Sequence, residues 1–183
     1  MDTAEILQSA EALLQPWAKA VARPAANRLD VTLEPAALMA AVSALQQAHL
    51  GYLAAITGLD HPAPEAAQGA GQPAPGTGTI EVLYHFCEGA AVVTLRVHVP
   101  YGTSGDPDGL CTAGQGASTP VIPTVCGVIP AATLYERELA ELFGVEVQGT
   151  PDPNRLVLAD DWPEGVYPLR KSFKGFSAKT GAG

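Results

Sequence analysis

The sequence predicts an α+β protein: a ferredoxin-like βαββαβ two-layer sandwich with a leading N-terminal helix and an extended C-terminal arm. Three patterns predict it. Apolar and polar residues alternate at Leu29, Val31 and Leu33, and again over 80–86 and 93–99, the period of strands with one dry face. Apolar stripes at helical spacing occupy 3–22, 34–49 and 133–143. Beyond Gly149 no period survives, and Pro151, Pro153, Pro163 and Pro168 forbid a long helix. The expected organisation is a core domain over 1–149 followed by an arm over 150–183.

The leading helix carries Ile6, Leu7, Ala10, Leu13, Leu14 and Trp17 on one face, with Thr3 as a candidate cap and a kink or break at Pro16. This stripe is read as cover for its own domain. A turn around Pro24 leads to the strand at 29–33. Glu34-Pro35 opens the next helix, with proline in its first turn and Leu38, Met39, Val42 and Leu45 inward. The stretch 50–59 is apolar on both faces and is read as a central strand ended by Asp60. Proline, glycine, alanine and glutamine dominate 61–78, a flexible loop within the domain. Strands at 79–87 and 90–99 then form a hairpin about Glu88-Gly89. Residues 100–116 hold five glycines and two prolines without apolar rhythm, and form a second loop. It has neither of the glycine-rich phosphate-binding spacings, and Asp106 and Asp108 lack the ligand order of a calcium loop. Val121, Ile122, Val125, Val128 and Ile129 supply one more buried stretch before the last helix.

That helix and the segment after it carry the densest pattern. Thr133 and Glu136 have the spacing of a capping box, and Gly144 stands where a C-terminal stop belongs. Tyr135, Leu139 and Leu142, widened by Leu134 and Phe143, make the apolar stripe. Glu136, Arg137, Glu138 and Glu141 make the charged side, with Arg137 and Glu141 spaced to pair. A short strand at Val145-Glu146-Val147 follows.

Composition excludes several classes. A chain of 183 residues with 47% apolar content fits one domain with appendages. A net charge of −9 argues against a nucleic-acid surface. No apolar run approaches the length of about 18 residues that a membrane span needs, and no secretory signal stands at Met1, so the chain reads as cytoplasmic. Cys87, Cys111 and Cys126 are scattered, with no CxxC, and read as reduced thiols. His85 and His98 share a sheet face without a visible third metal ligand. A search for catalytic groups also comes up short. Glu136 and Glu138 point to different sides of a helix, Glu138 and Glu141 have no neighbouring base, no serine sits in a glycine elbow, and Asp160-Asp161 reads as a solvated pair. The chain is expected to be non-catalytic and to hold no metal or cofactor. The arm offers binding surface instead: Trp162, Tyr167, Leu169, Phe173 and Phe176 as apolar anchors, with Arg170 and Lys171 to meet carboxylates.

The ordered set Glu136, Arg137, Glu138, Glu141, Leu142, Phe143, Gly144, then Pro151, Asp152 and Arg155, then Pro168, Leu169, Arg170, Lys171 and Phe173 resembles the 30 kDa subunit family of respiratory complex I. The same module occurs in energy-converting, membrane-bound nickel-iron hydrogenases. The likeness is sharp in this C-terminal quarter; elsewhere it is one of element order. The chain has Gly149-Thr150-Pro151 where the family usually has Gly-His-Pro, and Tyr167 where it usually has histidine before Pro-Leu-Arg-Lys. Both changes are more like the hydrogenase-type members.

The resemblance implies a scaffold subunit of the NADH:quinone oxidoreductase or nickel-iron hydrogenase type, without a redox centre of its own. It would lie on the cytoplasmic face of the inner membrane and touch the membrane only through its complex. The implied partners are the large catalytic subunit, which forms the quinone site or carries nickel-iron, and a cluster-bearing small subunit. Glu136, Arg137, Glu138, Glu141, Phe143, Arg155, Trp162, Tyr167, Leu169, Arg170, Lys171 and Phe173 are the expected partner interface. The competing classes are a free-standing small-molecule binder and a regulatory α+β module. The sequence leaves complex I and hydrogenase membership both open.

Overall fold

The computed structural model describes residues 2–62, 77–102 and 119–176. Cys111, Asp106 and Asp108, and most of the two glycine-rich loops, lie outside the described residues. The elements are α1 (Thr3–Leu14), β1 (Ala20–Ala25), β2 (Arg28–Leu33), α2 (Leu38–Gln47), β3 (Tyr52–His61), β4 (Thr77–Glu88), β5 (Ala91–Gly102), β6 (Val121–Pro123), α3 (Ala132–Phe143) and β7 (Glu146–Gln148). The main sheet has five strands in the order β1-β2-β5-β4-β3, antiparallel except where β2 runs parallel to β5. The architecture is therefore mixed α+β with a leading helix. The closing strand β7 pairs with β6 in a separate two-stranded parallel sheet rather than joining the main one.

Register explains the layering. Leu29, Val31 and Leu33 of β2 stand beside Val93, Leu95 and Val97 of β5, which stand beside Phe86, Tyr84 and Val82 of β4. These side chains share one face and form a single core with Leu7, Ala10 and Leu14 of α1, Leu38, Val42 and Leu45 of α2, and Leu139 and Phe143 of α3. All three helices thus lie on one face of the sheet. Gly58 is required there, because a Cβ at that position would stand 2.8 Å from the Phe143 ring.

The opposite face carries a polar network. Arg28 and Arg96 both bond Asp30, Arg96 also pairs with Glu81, and His61 Nε2 lies 3.0 Å from Glu81. His98 stands 3.7 Å from the same carboxylate. Asp30 and Glu81 are buried beneath these guanidinium and imidazole groups, so each buried carboxylate has close partners, as burial demands. His85 sits between Thr57 and Thr94, and burial, then the nearby Arg28, lowers its pKa.

Several local expectations are corrected. The first helix ends at Leu14, because Pro16 confines the next turn to a short 3-10 segment at Gln15–Trp17. The residues read as its last turn and the following loop are β1, which extends the sheet beside β2. The cap is Asp2, in a full capping box with Glu5, not Thr3. β3 is an edge strand and not a central one. Its Ile56 is buried toward the helices, while Tyr52 and Leu59 are exposed. Leu134, placed on the α3 stripe, is exposed as well.

Gly144 ends α3 with φ +66, and a Cβ there would overlap the Tyr167 ring. Gly144→Ala is expected to lower stability by about 1–3 kcal/mol in urea unfolding, from left-handed strain and displacement of Tyr167. A second outcome concerns acid. Burial alone would raise the Glu81 pKa, but hydrogen bonds from His61 and Arg96 and the charges of Arg96 and His98 outweigh it and hold it below its ordinary 4.5. A depressed carboxyl contributes stability above its unfolded pKa and loses it as pH falls through the folded one. Urea unfolding of the wild type should therefore weaken as pH drops below 4.5, and Glu81→Gln should flatten that part of the profile.

Candidate functional site

Of the residues read from sequence as an interface, Phe143 is instead a core side chain packed against Gly58, and the others fall into three sets: an internal carboxylate, a ring of contacts that fix the arm, and an exposed remainder. The first is Glu136. It does not close a capping box with Thr133, since the helix begins at Ala132 after an uncapped Ala131. Its carboxylate is 1% exposed. It accepts from Thr124 Oγ1 at 2.6 Å, from the Val125 backbone N–H at 2.7 Å and from Cys126 Sγ at 3.1 Å. Three donors from one loop compensate the burial of the charge. They also fix the β6–α3 connection onto the helix. Burial is the first cause of the raised Cys126 pKa, and the carboxylate adds to it while Thr124 and Thr133 oppose it. Cys126 is thus a quiet structural thiol.

The second set holds the arm. Arg137 and Glu141 do not pair with each other. Arg137 donates to the carbonyls of Asn154 at 2.8 Å and Arg155 at 2.7 Å, and meets Asp152 at 3.0 Å. Glu141 accepts the backbone N–H groups of Leu156, Val157 and Leu158. Arg155 continues the path by donating to the carbonyls of Ala159 and Trp162. In this way the charged side of α3 satisfies the backbone of a segment that has no helix or strand to satisfy it. The exposed Asp152 carboxyl has its pKa lowered, first by the Asn154 backbone N–H, with Arg137 contributing.

The arm is anchored most deeply at Arg170, which is internal rather than partner-facing. It is 7% exposed. Its Nε donates to the Phe143 carbonyl at 2.5 Å, its guanidinium lies 4.0 Å from the Tyr101 ring centre, and Nη1 stands 3.9 Å from Asp60 Oδ1. Asp60 in turn accepts from Tyr101 Oη at 2.6 Å and from the Lys171 backbone N–H at 2.8 Å. Burial first, then the Asp60 bond, pushes the Tyr101 hydroxyl up to about 12. The Leu169 N–H bonds the Leu142 carbonyl at 3.1 Å, and Tyr167 covers Gly144.

Sequence reasoning missed Asp60, read only as a strand end, and Tyr101, read as part of a loop. One signal was present. Val93, Leu95, Val97 and Val99 all point inward, and Tyr101 continues their alternation. Extending the strand by two residues would have placed it inside.

The third set faces outward. Glu138, Leu169 and Lys171 are exposed, as are Leu156, Val157 and Phe176. Trp162 and Phe173 are half-buried and join Phe176 in an aromatic cluster with ring centres 5.0–6.0 Å apart. Trp162 Nε1 donates to the Val166 carbonyl at 2.8 Å. A groove of about 180 Å³ lies between β3 and α3, lined by Ile56, Gly58, Glu138, Leu139, Leu142 and Leu169.

This arrangement defines a class: a two-layer α/β domain whose C-terminal segment is fixed against it by buried and half-buried polar contacts and presents apolar and cationic side chains outward. Among the described residues, no group of three or more His, Cys, Asp or Glu is placed to hold a metal ion. Residues 31–179 match the family described as respiratory-chain NADH dehydrogenase, 30 Kd subunit, and the chain belongs to that family. It is 46% identical over 56 residues to the membrane-bound hydrogenase subunit beta of Pyrococcus furiosus, covering 31% of this chain and 32% of that protein. It is 28% identical over 123 residues to an NADH-quinone oxidoreductase subunit of Moorella thermoacetica, covering 67% and 64%. The chain therefore spans about a third of the Pyrococcus relative and less than two thirds of the Moorella relative. Its fold is similar to that of a chain in the membrane-bound sulfane sulfur reductase, an archaeal respiratory membrane complex, with TM-score 0.63, 22% identity, and 92% and 84% coverage.

The anchoring geometry generates a measurable outcome. Arg170→Met keeps the packing length but removes the cation beside the buried Asp60, leaving it only the Tyr101 hydroxyl and the Lys171 N–H, and is expected to cost about 3–5 kcal/mol in urea unfolding. Adding Asp60→Asn should recover part of that loss, since the uncompensated charge is then gone.

Proposed function

We propose that this chain is a non-catalytic scaffold subunit in the peripheral arm of a complex I-like membrane-bound oxidoreductase. It docks on the large catalytic subunit, with a cluster-bearing small subunit in the same assembly. The chain itself carries no redox cofactor, and electrons pass through centres in its partners. It sits on the cytoplasmic side and reaches the membrane through the assembly; no helix among the described residues is long and apolar enough to cross a membrane.

The observation that carries this reading is the arm. A segment without helix or strand is held by Arg137, Glu141 and Arg170, and the side chains it turns outward are Leu156, Val157, Leu169, Lys171 and Phe176. Pre-positioned apolar groups beside a cation suit a protein interface, because little ordering cost remains to be met on binding. Membership of the 30 kDa subunit family supports the choice of partner. Both NADH-quinone oxidoreductase and hydrogenase relatives stand behind it.

The test separates surface from anchor. Leu169→Asp and Lys171→Glu change exposed side chains, so the free chain should keep its stability to within about 0.5 kcal/mol. Recovery of the large subunit with the tagged chain from its own host should fall, with a loss of about 2 kcal/mol or more in binding. Full recovery with both variants would exclude the arm as the docking surface. Iron or nickel in the isolated chain near one equivalent would exclude the cofactor-free reading.

A further inference from the structure

The two edges of the main sheet are treated differently. β1 is guarded: it carries Pro24, an Arg23 paired with Glu11, and a break in register between Ala22 and Ala25. Proline, charge and bulges are the devices that stop an edge from pairing with another chain. β3, at the other edge, has ten residues and no proline, lysine or arginine. Its one irregularity lies between Leu53 and Ala55, where Tyr135 Oη occupies the Ala54 carbonyl. From Ala55 to His61 it pairs continuously with β4. Among the described residues, no backbone group binds the outer side of that run.

The groove described above runs beside this bare edge. Ile56 and Gly58 come from β3 itself, Leu139 and Leu142 from α3, and Leu169 from the arm. Glu138 stands at the groove, exposed, with neither a hydrogen bond nor an ion pair among the described residues. It differs in this from Glu136 and Glu141 on the same helix, which are fully engaged.

We propose that β3 is a strand-addition site: an extended segment of a partner chain pairs along Ala55–His61, sets an apolar side chain into the groove and brings a basic side chain to Glu138. The free backbone row supplies affinity without regard to sequence, and the groove and the carboxylate supply selectivity. A helical partner would leave the edge amides unpaired, and an acidic segment would be repelled by Glu138. The inference rests on the subunit reading above, because the segment must come from another chain of the assembly.

Amide exchange tests it. The assembly, purified through a tag on this chain from its own host, is compared with the same chain expressed alone, with residue-level readout over 52–61. In the assembly, every second amide of β3, those pointing away from β4, should exchange at least about tenfold more slowly. Glu138→Lys and Leu59→Lys should reduce the yield of assembly while leaving the melting temperature of the free chain unchanged. Equal exchange of β3 in the free chain and in the assembly would overturn the strand-addition site and leave the subunit reading intact, as would full assembly of the Glu138→Lys variant. Recovery of the tagged chain with no partner would overturn both.

Discussion

The contact of Arg170 with Asp60 and Tyr101 is the constraint on which the rest of the arm depends. It joins three segments distant in sequence: the end of β3, the end of β5 and the tail of the chain. Each partner in it is satisfied by another. Asp60 takes the Tyr101 hydroxyl and the Lys171 N–H, Arg170 Nε donates to the Phe143 carbonyl, and the guanidinium lies over the Tyr101 ring. A buried ion pair at 3.9 Å is a weak source of stability by itself, because desolvation offsets much of the attraction. Its effect is specificity. In the observed placement of the arm, Arg170, Asp60, Tyr101 and the Phe143 carbonyl each have a partner.

Helix α3 extends that logic along its length. Its apolar residues Leu139 and Phe143 close the core against β3. Glu136 turns inward and fixes the loop before the helix, while Arg137 and Glu141 fix the chain after it. A charged stripe that looks solvated therefore carries structural contacts on both sides. The backbone of 154–158 has no ladder of its own, so its N–H and C=O groups take the helix side chains as partners.

The consequence for function is a division of labour. Arg170, which holds the arm, is buried, whereas Leu156, Val157, Leu169 and Lys171 turn their side chains outward. Leu169 shows the division within one residue: its backbone N–H is tied to Leu142, and its side chain is exposed. For the scaffold role proposed above, a surface already fixed in place loses less freedom on docking than a free tail would.

Periodicity and chain punctuation made the α+β class, the hairpin about Gly89, the three helices and the stop at Gly144 legible in the sequence. These features depend on neighbours a few residues apart, where the chemistry of each residue acts directly. The C-terminal pattern also carried the family, because its residue types recur in fixed order. Tertiary structure alone decided which polar residues are internal. Glu136 and Glu138 are the same residue type two positions apart, yet one is buried with three donors and the other is exposed. Nothing local distinguishes them; the difference is that the loop carrying Thr124, Val125 and Cys126 crosses one side of α3. Likewise β3 reads as apolar on both faces, which suits a central strand, yet it pairs with β4 alone and lies at the edge, with α3 packed on its inner face. Local sequence sets what each segment can become, and long-range packing sets which of its sides meets water.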